Sequence, residues 1–228
     1  MGKTYVIGDI HGAFRALKQC LERSEFNYES DHLICLGDVC DGWPETNRCI
    51  DELLKIRMLT YVLGNHDLWM IKWITSKIAE NVWRDQGGDA TIASYPDGVP
   101  QTHVDFLKNG LPYFLTDNKL FVHAGIHPKL PLSEQDIKIF TWDRGLVQQA
   151  WNLYINNINT KLTSFDEVFI GHTPIPSKRP VKSCEIWMMD TGAGWSGVLS
   201  MMEINTKEIF TSDQVPTLYP EVEGRKKK

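Results

Sequence analysis

The chain has no run of 18 or more apolar residues, so no transmembrane helix is expected. Its opening, Met1 to Val6, holds no apolar leader core, and Val6 stands where a myristoylation signal needs Ser or Thr. No Cys-x-x-Cys pair exists. The five cysteines (Cys20, Cys35, Cys40, Cys49, Cys184) show no disulfide spacing, which suits a reducing cytoplasm. An excess of positive charge is also missing: formal net charge is −5, and Arg225 to Lys228 carry four positive charges, leaving −9 for the rest. An acidic body argues against non-specific nucleic-acid binding, which depends on neutralising phosphates. The basic tail at 220–228 reads as a solvated end. No repeat, low-complexity tract or linker divides the 228 residues, so a single domain spanning 1–228 is expected.

Against these absences stand six short motifs in order: GDIHG at Gly8–Gly12, GDVCD at Gly37–Asp41, GNHD at Gly64–Asp67, VHAG at Val122–Gly125, TWDR at Thr141–Arg144 and GHT at Gly171–Thr173. One given tetrapeptide arises by chance about once in several hundred chains this long. Six that together fill two metal shells are a strong signal. Each alone has a simpler reading, Asp9 or Asp38 as a turn residue and His123 or His172 as a hydrogen-bonded core histidine. Jointly, Asp, His and Asn are oxygen and nitrogen donors for hard-to-borderline metals, and no thiolate is among them. The chemistry this names is hydrolysis by a metal-activated water. Cys40 lies inside the second motif as loop filler. No Ser or Cys nucleophile stands beside a base, so no covalent phosphoenzyme is expected.

The element pattern places these residues. Thr4–Ile7 reads as a buried strand ending at GDIHG, followed by a helix over Ala13–Arg23 with Phe14, Leu17 and Leu21 on one face. Asp31–Leu36 is a second strand, Pro44–Lys55 a helix with Pro in its first turn, and Thr60–Leu63 a third strand. Three strand–motif–helix units imply a parallel sheet, with the reactive groups on loops beyond the carboxyl ends of strands. His66–Ala79 is helical. Residues 80–110 are read as a small helical cap, with short helices at Asp89–Tyr95 and His103–Asn109. Pro112–Thr116 and Lys119–His123 form a strand pair joined at Asp117-Asn118. Leu146–Asn156 is helical and Glu167–Ile170 a strand. Ile186–Met189, Val198–Ile204 and Lys207–Thr211 are read as strands of a second sheet. The expected class is α/β, two mixed sheets with helices outside. Eight Trp is high, and for Trp69, Trp73 and Trp83 core packing is the simpler reading over substrate contact.

With these motifs the chain resembles the calcineurin-like metallophosphoesterases, and more closely the phosphoprotein phosphatases of the small phage and bacterial type. The likeness runs from Gly8 to Gly197. It implies a four-layer α/β/β/α sandwich and two divalent metal ions, manganese first, with iron or zinc as alternatives. It assigns Asp9 and His11 to the first metal, Asp38 as the bridge, and Asn65, His123 and His172 to the second. It matches His66 to the leaving-group acid, Asp41 to its paired carboxylate, and Arg144 to a phosphate clamp; Asn65 is also expected to face the phosphate. Asp190-Thr191-Gly192-Ala193 resembles a segment closing the site, with no chemical role attached. One departure is plain. The family continues the second motif as Asp-Arg-Gly, whereas Asp41 is followed here by Gly42 and Trp43. One of two arginine clamps is missing, and Arg48 and Arg84 are the candidates to replace it.

The implied mechanism is in-line attack by a hydroxide shared between the metals, with Arg144 neutralising the equatorial oxygens as charge spreads over them. An arginine fork engages two oxygens at once. An alkoxide leaving group needs a proton, a task that suits His66 beside Asp41, although His66 also fits as a buttress for its loop. The substrate expected is a phosphorylated protein or a small phosphoester, with no nucleic acid and no membrane as partner. A symmetrical dinucleoside tetraphosphate hydrolase is the alternative, since GNHDL, HAGI and the DTGxxWxG pattern at Asp190–Gly197 resemble that family too. Asp41 and the short chain speak against it. A nucleotide or phosphodiester hydrolase is a further alternative, and a non-catalytic module would need a broken metal shell.

Overall fold

In a computed structural model, residues 2–225 are described. The chain opens with β1 (Thr4–Ile7), α1 (Phe14–Arg23), β2 (His32–Cys35), α2 (Thr46–Leu53), β3 (Met58–Tyr61) and α3 (Asn65–Ser76). Pro44 precedes α2 instead of opening it, and Glu45 takes the cap position. Next come α4 (Asn81–Trp83), a π-type turn at Arg84–Gly88, α5 (Asp89–Ala93) and α6 (Gln101–Lys108). β4 (Tyr113–Thr116) and β5 (Lys119–Val122) form a hairpin. Its turn residues Asp117 and Asn118 have φ of 47° and 55°, the left-handed pair that matches the twist of the strands. The remainder is α7 (Ile137–Trp142), α8 (Gly145–Ile155), β6 (Glu167–Ile170), β7 (Val181–Ser183), β8 (Ile186–Met188), β9 (Ser200–Glu203), β10 (Ile209–Thr211) and α9 (Val215–Leu218).

Two five-stranded sheets result, β10-β9-β1-β2-β3 and β4-β5-β6-β8-β7. In the first, β1, β2 and β3 are parallel, with Thr4 opposite His32 and His32 opposite Met58. In the second, β5, β6 and β8 are parallel and the edges antiparallel. One expectation is corrected here: β9 and β10 belong to the first sheet, with β9 antiparallel beside β1. A strand pattern carries no record of its partner. The edge of β1 away from β2 must be covered, and β9 covers it. β7 was not read from the sequence because its three residues, Val181-Lys182-Ser183, carry no alternation long enough to see.

Alternation along each strand builds the layers. Tyr5, Ile7, Leu33, Cys35 and Met201 pack against α1 and α2. Their neighbours Val6, Ile34 and Met202 face Phe121, Phe169 and Trp187 of the second sheet. Leu120, Val122, Val168, Ile170, Ile186 and Met188 turn the other way, onto α7 and α8. The order is helix, sheet, sheet, helix, as expected. Across the second sheet Phe169 stacks on Phe121 at 4.7 Å and on Trp187 at 6.4 Å, both at 4° between planes. The parallel strands of both sheets end at the same rim, and the six motifs lie on that rim. Among the described residues no helix is long and apolar enough to cross a membrane.

Candidate metal centre

The loops after β1, β2 and β3 are laced to one another by backbone. Ile10 and His11 N–H donate to the Asp38 carbonyl at 3.1 and 2.8 Å, and Gly12 N–H to the Val39 carbonyl at 2.8 Å. His11, Asp38, Asp41 and His172 hold φ between 48° and 73°, which side chains other than Asn, Asp and His seldom tolerate. Four such residues at one rim mark a place where surrounding contacts dictate the backbone. Asp67, in the first turn of α3, is the main fastening. Its Oδ2 accepts N–H of Asp38 at 2.7 Å and of Gly64 at 2.8 Å, and its Oδ1 accepts Val39 N–H at 3.0 Å. Gly64 is required for approach: a Cβ there would stand 2.1 Å from Asp38 Oδ1.

The six expected donor positions are brought together. His11 Nε2 lies 3.7 Å from Asp38 Oδ2 and 4.0 Å from Asp9 Oδ2. His123 Nε2 lies 3.1 Å from Asn65 Oδ1, 3.2 Å from His172 Nδ1 and 3.4 Å from Asp38 Oδ2. Ligands about 2.1 Å from one ion stand roughly 3–4 Å apart, so these spacings suit cations on either side of Asp38. The rings are held from behind. His123 Nδ1 faces the Leu36 carbonyl at 2.7 Å and His11 Nδ1 the Cys40 carbonyl at 3.2 Å. A carbonyl only accepts, so Nδ1 carries the proton in each and Nε2 is left for a ligand. Asp38 Oδ1 accepts the His66 N–H at 2.9 Å, and both oxygens of Asp9 accept the His172 N–H at 3.0–3.1 Å.

The electrostatics fit the same donor set. Asp9, Asp38 and Asp190 are each 2–3% exposed, and their charges act on one another. Burial, then the charge of Asp190, pushes the Asp9 carboxyl well above its usual value. Burial likewise raises Asp190 to about 6. Burial would also raise Asp38, but His123, His66 and His11 outweigh it and bring it well down. Burial would lower His123, yet Asp38 holds its proton up to about 10. His172 goes down to about 3, through burial and the neighbouring His123 charge. The buried His172 Nε2 finds no partner among the described residues. Such a cluster favours bound cations, and two groups among the described residues, His11–Asp38–His66 and Asp38–His123–His172, could hold ions. Of these, His66 is also engaged elsewhere, since its Nδ1 meets Asp41 Oδ2 at 2.6 Å.

Asp41 is fully buried and multiply held. Trp83 Nε1–H donates to Oδ2 at 2.6 Å, Thr91 Oγ1–H to Oδ1 at 2.7 Å, and the Asp41 N–H itself donates to Thr91 Oγ1 at 2.8 Å. Trp83 and Thr91 were not foreseen, since short helices between Glu80 and Ala93 give no periodicity to read. Asp67 stood in the GNHD motif without a role; an acid in the first turn of a helix was the available signal. Of the tryptophans, Trp83 is buried, Trp73 packs on it at 5.5 Å, and Trp69 lines the cleft. All three pack in or on the core cluster of the first sheet, and Trp69 lines the cleft as well. Cys40 is buried with its thiol raised well above the usual value by burial and by Asp41, which suits filler.

The cleft over these residues has a volume of about 350 Å³. Trp69 and Trp142, edge to face at 4.9 Å, form one wall, and Trp195 another. Arg144 caps α8, donates from Nη1 to the His172 carbonyl at 3.3 Å and Thr173 Oγ1 at 3.2 Å, and lines the cleft. Neither expected replacement for the missing clamp reaches it. Arg48 lies over the Phe14 ring and pairs with Glu45; Arg84 pairs with Asp89. Arg225 lines the cleft instead, its guanidinium 4.2 Å above the Trp195 ring. That corrects the solvated reading of the tail at this residue; Lys226–Lys228 lie outside the described residues.

Buried His and Asp donors on the shared rim of two stacked mixed sheets define a hydrolase built around divalent metal ions. A family model described as calcineurin-like phosphoesterase matches residues 2–194. The chain belongs to that family, whose members use a dinuclear metal centre, and it is a metallophosphoesterase. It is 28% identical over 205 residues to serine/threonine-protein phosphatase 1 of Salmonella typhimurium, covering 88% of this chain and 91% of that one. It is 25% identical to a symmetrical bis(5'-nucleosyl)-tetraphosphatase of Pseudomonas fluorescens, covering 91% and 93%. Among solved structures, a putative diadenosine tetraphosphatase superposes with TM-score 0.69 at 18% identity, covering 92% of each chain. A serine/threonine phosphatase from Saccharomyces cerevisiae gives 0.66 at 13%, covering 98% and 83%.

Proposed function

We propose that the chain is a metal-dependent phosphomonoesterase acting on phosphoserine or phosphothreonine in proteins. The observation that carries this is the Asp41–His66 pair. Asp41 is fixed by Trp83 and Thr91, so His66 presents Nε2 to the cleft at a fixed angle. A serine alkoxide is a poor leaving group and needs such a proton donor, whereas a nitrophenolate does not. Asp9, His11 and Asp38 hold one divalent cation and Asp38, Asn65, His123 and His172 the other in this reading. The mixed carboxylate, amide and imidazole set suits manganese, with iron or zinc also compatible. Bound there, such ions lower the pKa of water towards neutrality and offset phosphoryl charge. Asn65 adds a ligand without adding charge to a donor set that already includes Asp9 and Asp38. Arg144 takes the phosphoryl oxygens and fixes the in-line pose. His66 then passes its proton to the departing oxygen, and Asp41 keeps the ring oriented.

A symmetrical dinucleoside tetraphosphate hydrolase is the second reading. It is favoured by the names of several relatives and by the aromatic walls, on which a base could stack. The test is kinetics with manganese on a phosphoserine peptide, diadenosine tetraphosphate and p-nitrophenyl phosphate. The phosphopeptide is expected to have the highest kcat/KM among biological substrates. His66→Asn should lower kcat on the peptide by about 100- to 10,000-fold and on p-nitrophenyl phosphate far less. Equal loss on both makes His66 a structural residue. Preference for the dinucleotide overturns the phosphoprotein assignment.

A further inference from the structure

Position 42 is where the family's second arginine would stand. Here Gly42 has φ of 98°, a conformation that an arginine side chain resists. A Cβ at Gly42 would lie 3.3 Å from Arg225 Cδ, and one at Gly87 would lie at the same distance from that atom. The Gly42 N–H donates to the Gly87 carbonyl at 3.2 Å, so the two glycines sit side by side and floor a narrow channel. Arg225 passes through it from the surface into the cleft that also holds His11, Asp38, Asn65 and Arg144. Trp43, the residue after Gly42, anchors the approach. Its ring lies so close beneath Gly224 that a Cβ there would stand 2.8 Å from it; it stacks on Tyr219 at 5.1 Å and donates Nε1–H to the Ala193 carbonyl at 2.8 Å.

The guanidinium is held on two sides. Its face lies over Trp195 at 4.2 Å, and Nη2 donates to Gln86 Oε1 at 2.5 Å. Its Nε–H is buried without an acceptor among the described residues. The side chain nevertheless lines the cleft beside His11, Asp38, Asn65 and Arg144, where a guanidinium fork is the donor suited to an anionic oxygen. Both substitutions in the second motif therefore serve one end. Glycine at 42 opens the path, and tryptophan at 43 seats the segment that uses it.

We propose that Arg225 is the second phosphate clamp, a guanidinium delivered from the C-terminal segment to the place that an arginine at position 42 would have filled. It contacts phosphoryl oxygens of a monoester dianion, with Arg144 engaging the group from another side of the cleft. The inference rests on phosphoester hydrolysis in this cleft, not on the phosphoprotein being the substrate.

The test compares wild type, Arg225→Gln, Arg225→Lys and Arg144→Gln. Two readouts are taken: orthophosphate binding by calorimetry, and kinetics on p-nitrophenyl phosphate and bis-p-nitrophenyl phosphate with manganese. Arg225→Gln should weaken orthophosphate binding about 10- to 100-fold, comparably to Arg144→Gln. Its KM for the monoester dianion should rise by a similar factor, and its kcat/KM for the singly charged diester should fall by much less. Arg225→Lys, which keeps the charge and loses the fork, should fall between. Orthophosphate affinity within about twofold of wild type in Arg225→Gln overturns the proposal. So does a lower KM in that variant, which would make Arg225 a plug. If wild type rejects phosphopeptides but hydrolyses p-nitrophenyl phosphate, the phosphoprotein reading fails while the orthophosphate comparison still decides the role of Arg225.

Discussion

Replacing Asp67 with asparagine removes one oxygen and one charge from the point where the second and third motif loops are tied. Asp67 is fully buried and accepts three backbone N–H groups, two on Oδ2 and one on Oδ1. The amide can place its oxygen where Oδ2 stood and keep Asp38 and Gly64. Its NH2 then faces the Val39 N–H, and that buried donor loses its acceptor at about 1–3 kcal/mol. The two surviving bonds lose charge assistance, about 1 kcal/mol each. Relief from burying a carboxylate offsets part of this. A net loss of about 3 kcal/mol should lower Tm by about 6–12 °C in a domain of this size. The assay is thermal unfolding of metal-free Asp67→Asn against metal-free wild type, so that ion binding does not enter the comparison. A shift under about 2 °C would refute the view that this carboxylate fastens the loops.

Two further outcomes follow from other parts of the molecule. Chelation should abolish phosphate release and lower Tm, with added manganese restoring both; Asp38→Asn should remove the Tm response to manganese, and full activity in the metal-free protein would defeat the metal mechanism. Burial opposes ionisation of Glu52, but hydrogen bonds from Lys55, Tyr28 and Lys18 outweigh it and hold the carboxyl at about 2. A depressed carboxyl contributes stability that is present in full above its unfolded value of 4.5 and is lost as pH falls towards 2. Glu52→Gln should therefore lower Tm at pH 7 and flatten the acid limb between those values, as read by melting curves across pH.

What was legible in the chain was what sequence-local physics dictates. Strand–motif–helix order announces parallel pairing, and a motif abutting a strand's carboxyl end must project from the rim, so Asp9, Asp38 and Asn65 were bound to meet. Pairing across long separations was not legible. The pattern at Val198–Ile204 says strand but cannot say that Met202 lies opposite Val6. Supports for Asp41 were hidden for a related reason: Trp83 and Thr91 reach it across 42 and 50 residues of separation. Arg225 was read as solvated because charge near a chain's end ordinarily is, and only the channel between Gly42 and Gly87 reveals another destination.

The antiparallel placement of β9 against β1 has a consequence for biosynthesis. Among the described strands β1 is made earliest yet is the third in its sheet, and its neighbour β9 is encoded nearly two hundred residues later. Until that segment emerges, β1 presents an unpaired backbone edge beside a half-built rim. Nascent chains halted before Ser200 should thus be targets for chaperones and proteases, and an assembled catalytic rim belongs only to a polypeptide whose synthesis has passed that point.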